Sequence, residues 1–171
     1  MDPSAREDRI RFVVNGTPVA VSGVPPTLTL LQWLRYERRL VGTKEGCAEG
    51  DCGACTVAVR DRAPDGRLVT RAINACIALL PMMHGRDVVT VEHLPREGGL
   101  HPVQQALVAH HGSQCGFCTP GFVMSLWAAR ASEPAPPSEG RIEDILAGNL
   151  CRCTGYAPIV AAARDAFAAP R

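Results

Sequence analysis

Eight cysteines fall into two sets whose spacing suits metal–sulfur chemistry. In the first, Cys47, Cys52 and Cys55 are separated by four and then two residues, and Cys76 follows after twenty more. In that order four thiolates can hold a [2Fe–2S] cluster, two on each iron. A loop that brings three sulfurs onto so compact an object must curl tightly. Gly46, Gly50 and Gly53 remove the side chains that would block the curl. Bare N–H groups can then point at the sulfurs, which keeps the thiolates ionised and tunes the reduction potential. The second set is Gln114-Cys115-Gly116-Phe117-Cys118 together with Leu150-Cys151-Arg152-Cys153. The first of these pairs opens a predicted helix, where free N–H groups and the helix dipole favour thiolate over thiol. The second follows the end of another helix. Two such pairs can clasp one compact object, each pair holding one iron.

Other chemistries remain open on spacing alone. Structural zinc also takes four cysteines and suits the second set. A redox-active dithiol at Cys115 and Cys118 is a further reading, although the strand–helix–strand context of such motifs is missing. Haem attachment needs His directly after the second cysteine, and Thr follows both Cys55 and Cys118. A Rieske centre needs two histidine ligands, and none of the five histidines stands in a Cys-x-His pair. His110 and His111 are expected to cap or pack at a helix end rather than bind metal. Trp33 and Trp127 are expected in the core.

The elements that must present these cysteines change in kind along the chain. Ile10 to Val14, the turn pair Asn15-Gly16 and Val19 to Val24 read as a hairpin. Pro25-Pro26 ends it, and Thr27 or Thr29 caps a helix through about Arg38 whose apolar face is Leu30, Leu31, Leu34 and Tyr36. After the first cysteine loop, Thr56 to Arg60 is strand-like, Pro64-Asp65-Gly66 is a turn, and Leu68 to Ile73 pairs back. Val88 to Val91 is a last short strand. A mixed sheet crossed by one helix, with the cysteine loop at one edge, resembles a β-grasp ferredoxin. Near His93 the alternation disappears, and Leu94-Pro95-Arg96-Glu97-Gly98-Gly99 marks a boundary. His101-Pro102 opens a helix carrying Val103, Leu107 and His110 on one face. Thr119-Pro120 caps the next, with Val123, Leu126, Trp127 and Arg130 spaced three and four apart. Ala131 to Gly140 is a proline-rich linker. Ile142, Ile145 and Leu146 mark a short helix ended by Gly148-Asn149, and Pro158 to Phe167 is the last. The expected class is α+β: a ferredoxin-like domain over residues 1–92, then a four-helix bundle over 93–171.

Length and composition agree with a small folded chain. At 171 residues, 46% hydrophobic and 20% charged, the chain could form one ordinary domain or two small ones. Two small domains have thin cores, and metal clusters are one remedy. The net charge of +1 gives no reason to expect nucleic acid. Met1 to Asp8 has mixed charge with no apolar run behind it, so no signal peptide is expected. No run of eighteen apolar residues would span a membrane. A cytoplasmic location is expected, where clustered cysteines bind metal rather than form disulfides. No internal repeat or low-complexity tract occurs.

Four segments together carry a resemblance to a known family. Gly46 to Val57, with the run Cys-Ala-Glu-Gly-Asp-Cys-Gly-Ala-Cys; Asn74-Ala75-Cys76; Gly112 to Gly121; and Gly148-Asn149-Leu150-Cys151-Arg152-Cys153-Thr154-Gly155-Tyr156 are similar to the iron–sulfur portion of the xanthine oxidase family of molybdenum hydroxylases. The match runs from about Arg9 to Ala169, with all eight cysteines in order. Thr43-Lys44-Glu45-Gly46 and His101-Pro102-Val103-Gln104-Gln105 resemble the xanthine dehydrogenase branch more than the carbon monoxide or aromatic-acid dehydrogenases. The resemblance implies an outer [2Fe–2S] cluster on Cys47, Cys52, Cys55 and Cys76, facing FAD. It implies an inner one on Cys115, Cys118, Cys151 and Cys153, facing molybdopterin. Gln114 and Cys153 would contact the pterin. The implied role is that of an iron–sulfur subunit in an oxidoreductase of purine metabolism. Electrons would pass from molybdenum through both clusters to FAD, with no catalytic residue in this chain. Alternatives are the same role in an aldehyde, nicotinate-type or carbon monoxide dehydrogenase, or a stand-alone ferredoxin-like carrier. Relatives often carry the flavin domain in the same chain. Here no G-x-G-x-x-G or P-loop occurs, so a molybdopterin-binding large subunit and an FAD-binding subunit or domain are the expected partners in a hetero-oligomer.

Overall fold

Asn15 and Gly16 both adopt left-handed φ, 51° and 78°, as a two-residue turn between antiparallel strands requires. They join β1 (Ile10–Val14) to β2 (Thr17–Val21), with Val14 opposite Thr17. The computed structural model describes residues 9–94, 99–133 and 135–170. The expected boundary therefore lies partly outside the described residues. The second strand stops three residues before the expected Val24, although Val24 still packs against the core.

Thr29 opens the first helix with a reciprocal cap: its hydroxyl accepts the Gln32 N–H, and the Gln32 side chain accepts the Thr29 N–H. Helix α1 (Leu30–Gln32) then widens into a π-helical turn over Trp33–Glu37, where the Arg38 N–H reaches back five residues to the Trp33 carbonyl at 3.1 Å. The wider turn breaks the 3.6-residue period. Leu30, Leu31, Trp33 and Leu34 remain buried, but Tyr36 is 56% exposed rather than on the apolar face, its hydroxyl donating to Glu45.

Strands β3 (Thr56–Arg62), β4 (Leu68–Asn74) and β5 (Asp87–Val89) complete one mixed sheet in the order β2-β1-β5-β3-β4, parallel only between β1 and β5. The last strand is shorter than expected because Val91 starts a 3-10 turn over Val91–His93. A second such turn, Leu80–Met83, has no counterpart in the sequence reading. One sheet face packs under α1 with Phe12, Val57, Val59 and Val88, and Phe12 meets Trp33 edge to face at 5.1 Å.

The other sheet face is also covered. Ala58 and Val89 join the core of the helical half, which explains the unbroken burial of β3 from Thr56 to Val59. This half contains α2 (Pro102–Ala109), α3 (Thr119–Ser132), α4 (Glu139–Leu146) and α5 (Ala157–Ala168). Helix α3 lies on β3 and β4 and also contacts α2 and α4. It begins at Thr119 with Cys118 as its cap, one residue before the expected cap, and runs to Ser132, into the expected linker. Val103, Leu107, Val123, Leu126, Ile142 and Leu146 are buried as expected, whereas Trp127 and Ile145 only pack partly against the core. His110 ends α2, its Nε2 3.2 Å from Asp165 Oδ2 on α5, so it caps and packs rather than lying on the buried face. Arg130 is buried and donates to the Ala166, Ala169 and Pro170 carbonyls at the end of α5. The observed class is α+β. Among the described residues no helix is long and apolar enough to cross a membrane.

Candidate metal centres

The loop from Gly46 to Cys55 turns its backbone inward. The N–H groups of Asp51 and Cys52 donate to Cys47 Sγ, and the Cys47 N–H donates to Cys52 Sγ, each at 3.4 Å. Backbone N–H groups of Glu49, Cys52 and Asp51 together bring the Cys47 thiol down to about 6. Gly46 permits this crowding: a Cβ there would stand 2.8 Å from Cys52 Sγ. Ala48 and Gly50 take the left-handed φ values, 60° and 88°, that close the curl. Cys55 and Cys76 are buried beneath this rim, their thiols hydrogen-bonded to each other. Burial, with the Cys76 thiol beside it, pushes Cys55 up to about 12. Asn74 anchors the far side, donating from Nδ2 to the Gly50 carbonyl at 2.6 Å.

The second set forms at loops between helices. Cys118 caps α3 and Cys115 precedes it, in a segment spanned by a 2.8 Å contact between the Ser113 and Thr119 hydroxyls. Cys151 and Cys153 sit between α4 and α5. Tyr156, at a φ of 67°, turns its hydroxyl back to accept the Cys151 N–H at 2.8 Å. Thiols meet across the two sequence pairs, not within them. Cys153 Sγ is 3.5 Å from Cys115 Sγ, and Cys118 is hydrogen-bonded to Cys151. The sequence reading has Cys115 with Cys118, and Cys151 with Cys153, each hold one iron, whereas the thiol contacts run across those pairs. Burial and the Cys151 thiol push Cys118 up to about 12. Cys151 is held below its ordinary value: burial opposes this, but the Thr154 hydroxyl and the Thr154 and Cys153 N–H groups outweigh it. Cys115 and Cys153 are exposed, as is Gln114 beside them, and the hydrogen bond to Cys115 raises Cys153.

The donor set fits two-iron clusters. Each quartet has one deeper and one more open sulfur pair: Cys55 and Cys76 are buried beside half-buried Cys47 and Cys52, and Cys151 is buried with half-buried Cys118 beside exposed Cys115 and Cys153. Among the described residues, no three His, Cys, Asp or Glu side chains close on one point as a mononuclear ion would require. Two irons need their donors two by two. His110 and His111 lie at the end of α2, within neither quartet.

Local patterns did not identify the contact between the two loops. Asn149 is 2% exposed and donates from Nδ2 to the Gly53 carbonyl (2.9 Å) and to Thr56 Oγ1 (3.2 Å). Its Oδ1 accepts from Ser125 Oγ at 2.7 Å. The next residue, Leu150, donates its N–H to the Cys52 carbonyl at 2.9 Å. Gly53 and Gly121 make this approach possible, because a Cβ on either would overlap backbone of the opposite segment. The sequence did contain a signal: small residues at 53, 121 and 148, and a polar residue two positions before a ligand pair.

Comparison with known proteins agrees with the two-loop layout. A family model described as "2Fe-2S iron-sulfur cluster binding domain" matches residues 12–80. A second, "[2Fe-2S] binding domain", matches residues 90–164. The chain is 51% identical to a xanthine dehydrogenase of Emericella nidulans over 165 residues, which is 96% of this chain and 12% of that protein. It is 44% identical to aldehyde oxidase 3 of Mus musculus, over 96% of this chain and 12% of that one. It thus spans about an eighth of the length of these curated relatives. Among solved structures, quinoline 2-oxidoreductase from Pseudomonas putida 86 superposes with a TM-score of 0.80 at 37% identity, over 94% of this chain and 93% of that chain. Aldehyde oxidoreductase from Desulfovibrio gigas gives 0.80 at 36% identity, over 94% and 17%. With two [2Fe–2S] models in this order and a relative matched over nearly its whole length, the chain belongs to the iron–sulfur part of the xanthine oxidase family of molybdenum hydroxylases.

Proposed function

We propose that this chain carries single electrons within a molybdenum hydroxylase, from a molybdopterin centre to FAD, both held by partner chains or domains. The observation that carries the reading is the placement of eight thiols in two quartets, each split into a deeper and a more open pair. When bound, a [2Fe–2S] cluster stores and releases one electron; the chain supplies its holding and its surroundings. Cys47 with Cys52, and Cys55 with Cys76, would share the two irons of the outer cluster. Cys115 with Cys153, and Cys118 with Cys151, would share those of the inner one. N–H groups aimed at Cys47 stabilise negative charge on that rim, while burial of Cys55 and partial burial of Cys118 limit water on the facing sides. The two surroundings differ, so the two potentials should differ.

The open pair Cys115 and Cys153, with the exposed Gln114, forms the edge at which a pterin would be contacted. Gln114→Ala is expected to lower cofactor occupancy in the assembled enzyme. The domains follow residues 1–92, a β-grasp ferredoxin-like unit, and 93–171, a four-helix bundle, in a cytoplasmic hetero-oligomer. Several of the curated relatives are named xanthine dehydrogenases, which supports a purine as the substrate of the whole assembly. Aldehyde oxidase relatives at 44% and 46% identity support an aldehyde as the second reading.

Iron and sulfide analysis with EPR of the reduced protein tests the proposal: about four irons per chain and two distinct signals are expected. Two zinc atoms without iron would reject it. Co-elution with a large molybdenum-containing chain distinguishes a permanent subunit from a free carrier, which would elute alone.

A further inference from the structure

Asn149 ties the outer cysteine loop to the inner one through a fully used carboxamide. Its Nδ2 reaches Gly53, next to Cys52, and Thr56, next to Cys55, while Ser125 holds its Oδ1 from α3. The Gly53 carbonyl does not depend on Asn149 for satisfaction, because the Thr56 N–H (3.1 Å) and hydroxyl (2.7 Å) also donate to it. What Asn149 adds is a side-chain link across 96 residues of sequence. Beside it runs the bond from the Leu150 N–H to the Cys52 carbonyl. Leu150 is peptide-bonded to Cys151, so this hydrogen bond joins the backbone of a residue in one quartet to the chain neighbour of a residue in the other. A buried polar side chain with every group satisfied specifies one arrangement where an apolar one would permit several.

We propose that Asn149 is a positioning residue for electron exchange between the two quartets: its carboxamide sets the register of the Cys52 loop against the Cys151 loop, and with it the coupling of the clusters they hold. The inference rests on the electron-transfer reading above.

The test is low-temperature EPR of the reduced, cluster-loaded full chain. Two reduced clusters held in fixed register split each other's lines. In Asn149→Ala, iron content and the principal g values of each signal are expected to stay as in wild type while the splitting is lost. Asn149→Leu refills the volume without hydrogen bonds and is expected to behave as Ala, whereas a purely space-filling role would be rescued. Ser125→Ala, which leaves Asn149 in place but unheld, is expected to reduce the splitting. Undiminished splitting in Asn149→Ala overturns the proposal. If that variant loses its iron, undiminished splitting in Ser125→Ala overturns it instead. Two wild-type signals with no mutual splitting also overturn it. A wild-type chain without iron overturns the electron-transfer reading itself, which separates the two failures.

Discussion

Three glycine-to-alanine substitutions measure how closely the two cysteine loops are fitted together. Gly121 lies in the first turn of α3 without positive φ, and its added Cβ would overlap the Gly53 carbonyl and stand 2.9 Å from Asn149 Nδ2. In a free helix, alanine would be favoured over glycine by about 1 kcal/mol. Overlap with backbone, which cannot rotate away, costs about 3 kcal/mol at the upper end of overpacking. Gly121→Ala is therefore expected to destabilise by about 2 kcal/mol, a reversal of sign. Gly53 combines a φ of 70° with overlap against the Gly148 carbonyl and 2.5 Å to Asn149 Nδ2. Left-handed strain of about 1 to 2 kcal/mol adds to the overlap, for a total of about 4 kcal/mol. Gly66, at φ 82° with nothing within 4 Å, isolates the strain. Alanine there should cost about 1 kcal/mol once the lower entropy of the unfolded chain is counted. For a chain of this length each kcal/mol lowers the melting midpoint by about 3 °C. The expected order of midpoints is Gly66→Ala, then Gly121→Ala, then Gly53→Ala, roughly 3, 6 and 12 °C below wild type. Far-UV circular dichroism and cluster absorbance, followed together on heating, supply the comparison. A midpoint for Gly121→Ala at or above wild type would refute the close approach, and with it the argument for Asn149.

Further outcomes follow from single groups. With iron removed, Cys47 should be the first thiol alkylated. Held at about 6 by backbone N–H groups, it is mostly thiolate at pH 7, roughly ten to one, and its labelling should fall only as pH drops through 6. Cys55 and Cys118, pushed by burial to about 12, should stay unlabelled up to about pH 9. Peptide mapping of iodoacetamide adducts checks both, and early labelling of Cys55 would contradict the burial argument. Thr29→Ala removes the hydroxyl that accepts the Gln32 N–H in the reciprocal cap and should cost about 1 kcal/mol, read as a midpoint shift with the spectra unchanged. Arg130→Met withdraws the donor from the Ala166, Ala169 and Pro170 carbonyls. It should destabilise by about 3 kcal/mol, with faster amide exchange confined first to the end of α5.

Much of the fold was legible because its determinants are local. Asn15-Gly16 demands a hairpin, and Thr29 with Gln32 three residues on completes a helix cap. Tyr36 was misplaced for an equally local reason that periodicity does not capture. A turn closed five residues back shifts every later side chain around the axis, so a 3.6-residue template fits Leu30 to Leu34 and fails two residues on. Cys118 shows the opposite case. Thr119-Pro120 carries the usual signature of a cap and first helical residue, yet the helix begins one residue earlier, so a candidate ligand itself stands at the helix end.

The quartets were legible to different depths for the same reason. Cys47 and Cys52 meet within one loop, so a spacing of four residues suffices to predict their approach. Cys115 meets Cys153 across 38 residues of sequence, and the partner of each thiol depends on how two loops are set between four helices. Spacing can announce four such ligands but cannot pair them. Asn149 lies further along the same scale. After Gly148 at the end of a helix it reads as a stop signal, and nothing nearby requires its burial. Its burial comes from Gly53, which the fold brings against it from the other half of the chain. The thiols that would hold the metal are thus written in short range. The spacing between the two metal sites is written in contacts that exist only once both halves have folded together.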